Sequence, residues 1–250
     1  MDRRRVFGPE LSVAPIIERE DSDMTEVQRR DRRPEDIRPI FLKTGLINQA
    51  NGSAYIEMNQ TKIACGVYGP RQSKRPSFSG KGKLNCEVKF STFSCPKRRG
   101  HQQDAQEKEL SAFLTQALSP AVRLELFPKS TVDIFIHILQ NDGTASCLAG
   151  CITAASVALA DAGVEMVDMV AACSACFIND TIYMDCSLQE ESHVTGSLVV
   201  AYMPTLRELT HVWQEGQVTL ERTEQAVEQC IGACTKIARV MRTALMSSLH

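Results

Sequence analysis

Residues 132–163 read VDIFIHILQNDGTASCLAGCITAASVALADAG, and this stretch decides the fold. Its first part, 132–139, is rich in β-branched residues that partly alternate with polar ones, which predicts a strand. Residues 145–162 are dense in alanine and predict a buried helix, which Gly163 ends as a C-cap. A strand that leads through an Asp-Gly turn into a buried helix indicates a sheet packed against helices.

Similar patterns occur on both sides of this stretch. Further strands are expected at 54–58, 61–68, 86–90, 170–178, 181–185, 196–203 and about 206–213. Further helices are expected at about 104–118, where Leu110, Phe113, Leu114 and Ala117 share a stripe, and from about Thr219, where Val227, Ile231, Cys234, Ala238, Met241 and Leu245 share a face. This order predicts an α+β protein with mixed sheets packed with helices.

Charge patterning separates a tail from a folded part. Residues 1–31 carry mixed charge with little periodicity, and Lys+Arg 28 against Asp+Glu 30 give the whole chain a net charge of only −2. We therefore expect a flexible N-terminal tail over 1–31 and one folded domain over 32–250. A protein this close to neutrality does not attract polyanions globally, so any nucleic-acid contact must come from a local patch.

The ten cysteines predict reduced thiols rather than disulfides or a metal site. Cys173-x-x-Cys176 is the one metal-like spacing, but it falls in a predicted strand, where residues three apart point to opposite faces. We interpret six cysteines as small apolar core fillers, namely Cys147, Cys151, Cys173, Cys176, Cys230 and Cys234.

An ordered set of motifs resembles the RNase PH family and covers roughly residues 32–247. The matching stretches are Arg33–Ile40, Gly52–Glu57, Thr61–Ile63, Val67–Arg71, Leu139–Gly143 and Ala158–Val164. Three more, Gly45–Ala50, Gly69–Gln72 and Ala158–Asp168, resemble one type of ring subunit of the eukaryotic RNA exosome. The resemblance implies the RNase PH fold, which is ribosomal protein S5 domain 2-like.

The resemblance also implies a function and partners. It implies a subunit of a six-membered ring of RNase PH-like proteins, with exosome components 7 and 8 as neighbours, exosome component 1 as the S1/KH cap subunit, and single-stranded RNA passing through the channel. Such a subunit would act in rRNA processing and RNA degradation in the nucleus, nucleolus and cytoplasm. No cofactor and no membrane partner are expected.

The resemblance can be tested residue by residue at the phosphorolytic site. Active members use an arginine at the N-terminus of the central helix and another before the helix motif that matches Glu107–Ser111; the corresponding positions here are Ser146 and Gln106. Serine and glutamine cannot supply the missing charge. We therefore expect a degenerate phosphate site, no catalysis and no bound metal.

Carboxylates are better retained than arginines. The resemblance places Asp185 and Glu191 where active members hold a metal ion, so both are vestigial catalytic candidates. One alternative is that Asp185, Glu190 and Glu191 form a solvated acidic turn. Another is a working phosphate-dependent 3′-5′ exoribonuclease in which Asp185 and Glu191 hold magnesium.

Basic residues are concentrated between Arg71 and Arg99, where Glu87 is the only acidic residue. This asymmetry predicts RNA contacts by Arg71, Lys74, Arg75, Lys97, Arg98 and Arg99. A free-standing RNA-binding module is the alternative that this loop alone would support. With one Trp and four Tyr, sequence-specific readout of RNA is not expected.

Overall fold

Two β-sheets and four α-helices account for most of the chain that the structure describes. This computed structural model describes Arg29 and residues 32–72, 80–179 and 181–248. The elements in chain order are β1 (Ile40–Thr44), β2 (Gly52–Met58), β3 (Thr61–Gln72), β4 (Lys83–Phe90), α1 (Ala105–Leu118), a 3-10 turn (Leu124–Leu126), β5 (Ser130–Gln140), α2 (Thr144–Asp161), β6 (Ala171–Ile178), β7 (Thr181–Met184), α3 (Leu188–Glu191), β8 (Gly196–Met203), β9 (Glu208–Gly216) and α4 (Leu220–Ser248).

The first sheet has the strand order β1-β2-β3-β5-β4. Its hairpin β2–β3 turns at Asn59, whose φ of 54° suits a short polar side chain. β4 runs parallel to β5, and α1 makes the crossover between them. The crossover places the loop after β4 and the turn after β5 at the same end of the sheet.

The second sheet is antiparallel, with the order β7-β6-β8-β9. Every residue of β6 is buried, as expected for a central strand covered on both faces. The predicted strands and helices are confirmed, and the mixed sheets packed with helices confirm the α+β class.

Helix α2 lies between the two sheets and forms the centre of the core. It contacts β2 and β3 of the first sheet and β6 and β8 of the second. By length and composition α2 could cross a membrane, but 83% of that window is buried inside the protein, as in a core helix. Because buried side chains from both sheets meet around α2 in one cluster, we propose that residues 32–250 form a single domain.

Close approach of α2 to the first sheet requires small residues. A Cβ on Gly52 would lie 2.2 Å from the Ala162 backbone nitrogen, so β2 could not pack here with any other residue. Gly163, with φ +71°, ends the helix region as predicted.

The predicted face of α4 does pack on the core, with Cys234 and Met241 buried, but the centre of the buried face lies to one side of the predicted stripe. The buried residues are Ala226, Cys230, Ala233, Cys234, Ile237, Met241 and Ala244, whereas Val227, Ile231, Ala238 and Leu245 are only partly buried at its margins. Small residues face the sheet because they allow close helix packing, and their weak apolar signal shifted the predicted stripe.

The cysteine prediction is confirmed for all six residues it named. All ten cysteines are free, and all but Cys95 are buried. Within the described part of the chain, no group of three or more His, Cys, Asp or Glu side chains could hold a metal ion.

Candidate functional site

The candidate site lies where the turn between β5 and α2 meets the segment between β7 and α3. Asp142 and Gly143 form the turn. Gly143 has φ +115°, and a Cβ added there would lie 2.7 Å from the Cys186 carbonyl oxygen. On the other side, Asp185 follows β7 with φ 53°. The backbone at both positions brings Ser146, in the first turn of α2, beside Asp185.

Arg38 is the centre of the site. Its backbone N–H and its guanidinium Nε donate to Asp185 Oδ2 at 3.0 and 2.8 Å, and Nη2 donates to Asp185 Oδ1 at 2.7 Å. Nη1 donates to Asp142 Oδ2 at 2.8 Å. Nη2 also donates to Ser146 Oγ, and that hydroxyl donates to Asp185 Oδ1 at 2.6 Å. A guanidinium therefore does lie at Ser146, supplied by a distant segment and already paired with two carboxylates.

Two more arginines complete the network. Arg29 Nε and Nη2 donate to the two Glu190 carboxylate oxygens at 2.6 and 2.9 Å. Arg32 lies 3.5 Å from Asp185 and 3.6 Å from Glu190. Three arginines thus face three carboxylates, Asp142 included, and the charges of the network cancel.

The alternative of a solvated acidic turn is wrong for two of its three residues. Asp185 is 5% exposed and Glu190 is 8% exposed, and both are ion-paired. Sequence reasoning missed this because the partners, Arg29, Arg32 and Arg38, lie about 150 residues away; the only local signal is the cluster of arginines around Pro34. Arg29 falls within the predicted tail 1–31, whose other residues lie outside the described chain.

The Asp185 carboxylate is held ionised by this surrounding. Burial alone would raise its pKa, but the hydrogen bonds and charge of Arg38, together with the hydrogen bond from Ser146, lower the pKa to about 2. Burial alone would also raise the pKa of Glu190. The hydrogen bonds and charge of Arg29, together with the hydrogen bond from the Ser187 N–H, outweigh burial, so this pKa is lowered as well. At neutral pH both carboxylates are therefore ionised and paired with arginines of the same chain.

Glu191 occupies the N-terminus of α2. The Thr144 N–H donates to both of its carboxylate oxygens, at 3.1 and 3.0 Å. A helix N-terminus carries unpaired amides and a partial positive charge that attract anions. In this protein the anion there is its own side chain.

Gln106, the other degenerate position, accepts a 2.7 Å hydrogen bond from Arg99 Nη2. The Arg99 guanidinium also stacks 3.9 Å over the Phe90 ring and lies 3.6 Å from Asp104. Arg99 was predicted to contact RNA with its loop neighbours, whereas the structure turns it inward as an anchor. Gln106 lines a cavity, but Arg99 does not.

That cavity, about 580 Å³, lies between α1, the start of α2 and β9. Gln106, Thr144, Phe113 and Trp213 line it, and its charged residues are Glu109, Glu191 and Glu215. No lysine or arginine among the described residues lines it. Three carboxylates give this cavity an acidic wall, which disfavours a bound anion.

A divalent metal does not fit this donor set. The family resemblance would place it at Asp185 and Glu191, but the oxygens of Asp185 already accept hydrogen bonds from Arg38 and Ser146. Glu191 points to the Thr144 amide instead. A metal would have to displace a buried guanidinium from its carboxylate. Breaking a buried ion pair costs far more free energy than breaking a solvent-exposed one.

Among the described residues, the predicted RNA contacts lie at two ends of β4. Arg71 pairs with Thr131 beside the start of β4, and its guanidinium lies 5.2 Å from the Tyr68 ring. Lys97 and Arg98 follow the opposite end of β4. Because β4 has eight residues, its two ends lie about 25 Å apart. Lys74 and Arg75 lie outside the described residues.

The comparison with protein families identifies the class. The model of the 3′ exoribonuclease family (RNase PH), domain 1, matches residues 36–165, and domain 2 of the same family matches residues 168–232. The chain belongs to the RNase PH 3′ exoribonuclease family.

Relatives narrow the class further. The exosome complex component mtr3 of Schizosaccharomyces pombe is 38% identical over 249 residues, which covers 98% of this chain and 96% of that protein. The exosome complex component Rrp41 of Cenarchaeum symbiosum is also 38% identical, over 86% of this chain and 88% of its own. The crystal structure of rice Rrp46 superposes with a TM-score of 0.76 at 24% identity, covers 86% of this chain and 98% of that one, and confirms the fold.

The type of subunit was also predicted from the sequence. Gly45–Ala50, Gly69–Gln72 and Ala158–Asp168 resemble exosome component 6, the mRNA transport regulator type, and the similarity to mtr3 over nearly the whole chain confirms that resemblance. The prediction of an RNase PH-like protein of the exosome-subunit type is thereby confirmed.

Proposed function

We propose that the protein is a non-catalytic ring subunit of the RNA exosome. It scaffolds a six-membered ring of RNase PH-like subunits and helps line the channel that guides RNA to a 3′-5′ exoribonuclease. The observation that carries the absence of catalysis is the internal neutralisation of the site. Asp185 is saturated by Arg38, and Glu191 fills the anion position at the start of α2.

The energetics support this proposal. Phosphorolysis needs cations that hold phosphate and stabilise the charge of the transition state, and each lost donor of this kind costs about 10²- to 10³-fold in rate. Here Ser146 and Gln106 replace both arginines, Arg38 is consumed by carboxylates, and the cavity carries three glutamates. The surviving carboxylates have neither a metal site nor a phosphate to act on.

Partners and location follow from the proposed complex. The relatives are named as exosome components, which supports neighbours of the RNase PH-like class, with exosome components 7 and 8 in the ring and exosome component 1 as the cap subunit. We propose that the protein works in the nucleus, nucleolus and cytoplasm, in rRNA processing and RNA degradation. Lys97 and Arg98 are the residues proposed for contact with RNA in the channel.

Native mass spectrometry of the tagged, full-length chain purified from its own cells tests the proposed assembly. We expect a hetero-oligomer whose mass corresponds to a ring of RNase PH-like subunits with a cap. A stable monomer without such partners would contradict the ring assignment and favour a free-standing RNA-binding module.

A further inference from the structure

The loop between β4 and α1, residues 91–104 and here called the β4–α1 loop, is a compact and anchored structure. The Arg99 N–H donates to the Thr92 carbonyl at 3.1 Å and closes the segment on itself. Ser94 is buried, and its carbonyl accepts the Asn141 N–H at 2.9 Å. The closure brings residues 92 and 99 together at the base of the loop, so residues 93–98 project from it as in other closed surface loops.

Side chains inside this loop fix its base. Arg99 stacks on Phe90, which is buried, and donates to Gln106. Glu107, also buried, accepts the Phe90 N–H at 2.9 Å and pairs with Lys89 at 3.0 Å. The inner cations Lys89 and Arg99 are therefore used for structure, and the loop is held ready for a ligand without a large ordering cost.

Phe93 projects from this anchored loop into solvent. Its side chain is 74% exposed, the highest value among the Phe, Tyr and Trp residues that the structure describes; Phe41 follows at 56%. Exposing a whole phenyl ring is unfavourable in water, and an exposed aromatic on a rigid loop is a feature of binding surfaces.

Two cations accompany the ring. Lys97 and Arg98 are exposed, and neither forms a salt bridge with any described residue. Residues 91–103 contain no Asp or Glu. An exposed aromatic ring and two cations without salt bridges on one short closed loop fit a chain of alternating flat bases and phosphates.

We infer that Phe93 is a base-stacking residue of a single-stranded RNA site, with Lys97 and Arg98 on the adjacent phosphates. The inference rests on the proposed function and adds to it the residue that recognises an unpaired base. Stacking on a ring is available to every base, so the site binds without sequence preference. A paired base has no free face to offer, so duplex RNA binds through the cations alone.

Binding of a fluorescein-labelled oligo(A) to the full-length chain and to the assembled ring tests this inference over a series of salt concentrations. Phe93→Ala is expected to weaken binding about 10-fold without changing the salt slope, since stacking is uncharged. Phe93→Trp should restore the affinity. Lys97→Ala with Arg98→Ala should reduce the salt slope by about 1.4, or roughly 0.7 per lost phosphate contact.

Two controls bound the interpretation. Phe41→Ala removes the other exposed phenyl ring, on β1, and should leave RNA binding unchanged. In the second control, Phe93→Ala and the unchanged protein should bind a blunt RNA duplex with the same affinity. Wild-type affinity of Phe93→Ala for oligo(A) would overturn the inference. Loss of ring assembly in Phe93→Ala, with RNA binding by the chain intact, would instead make Phe93 a protein contact and overturn it as well.

The outcomes also separate this inference from the proposed function. If the unchanged chain enters no ring, the proposed function fails, and the Phe93 comparison is still decided on the isolated full-length chain. If the ring forms and Phe93→Ala binds oligo(A) as tightly as the unchanged protein does, the proposed function stands. The stacking site is then ruled out.

Discussion

Replacing Arg38 with methionine is expected to lower the free energy of unfolding by about 3–5 kcal/mol. Asp185 is only 5% exposed, and the change removes the main partner of its carboxylate. It also deprives Asp142 of its ion pair. Removing one member of a buried pair leaves an uncompensated buried charge, which is why the cost is this large. Urea unfolding near neutral pH, followed by circular dichroism, measures it.

A matched control is available on the surface. Arg123 lies 3.7 Å from Glu165 in an exposed pair, and Arg123→Met should cost less than about 1 kcal/mol. Asp185→Asn in the Arg38→Met background should recover part of the loss, because asparagine carries no charge and accepts the left-handed backbone at this position. Equal effects of Arg38→Met and Arg123→Met would show that the network does not stabilise the fold.

The second large effect is a loss of stability in acid. The folded-state pKa of Asp185 is about 2, below the ordinary value of 3.8 that applies to the unfolded chain. The stabilisation is therefore fully present above pH 3.8 and is lost as the pH falls through about 2. The difference corresponds to about 2 kcal/mol. Glu190, whose pKa is also lowered, adds a contribution of the same sign.

Asp185→Asn isolates this contribution from the other carboxylates that titrate in acid. Urea unfolding of both proteins at a series of pH values should show the unchanged protein losing its advantage between about pH 4 and pH 2, so that the two curves converge. Parallel curves across that range would mean that Asp185 titrates in the folded protein much as it does in the unfolded chain.

Local features made much of the fold predictable. The β2–β3 hairpin follows from a polar turn at Asn59, and α2 follows from the alanine-rich run that Gly163 ends. Each signal is contained in a short window of the chain. The predicted α4 face was off-centre, because Ala226, Cys230 and Ala233 are buried but give a weak hydrophobic signal.

The site was only half predictable for a similar reason. The substitutions Ser146 and Gln106 can be read from motifs, but the partners that neutralise the site cannot. Arg38 meets Asp185 across 147 residues, and no local pattern encodes that contact. Arg99 is only seven residues from Gln106, yet its inward orientation depends on closure of the β4–α1 loop.

We propose that this RNase PH-like site cannot use phosphate. The most direct measurement is release of nucleoside diphosphates from single-stranded RNA, with and without inorganic phosphate, by the full-length chain and by the assembled ring. We expect no phosphate-dependent release from the chain, and ring activity of any origin should be unchanged by Glu191→Gln. Phosphate-dependent release by the chain alone, or its loss from the ring in Glu191→Gln, would contradict the account and establish a working phosphorolytic exoribonuclease.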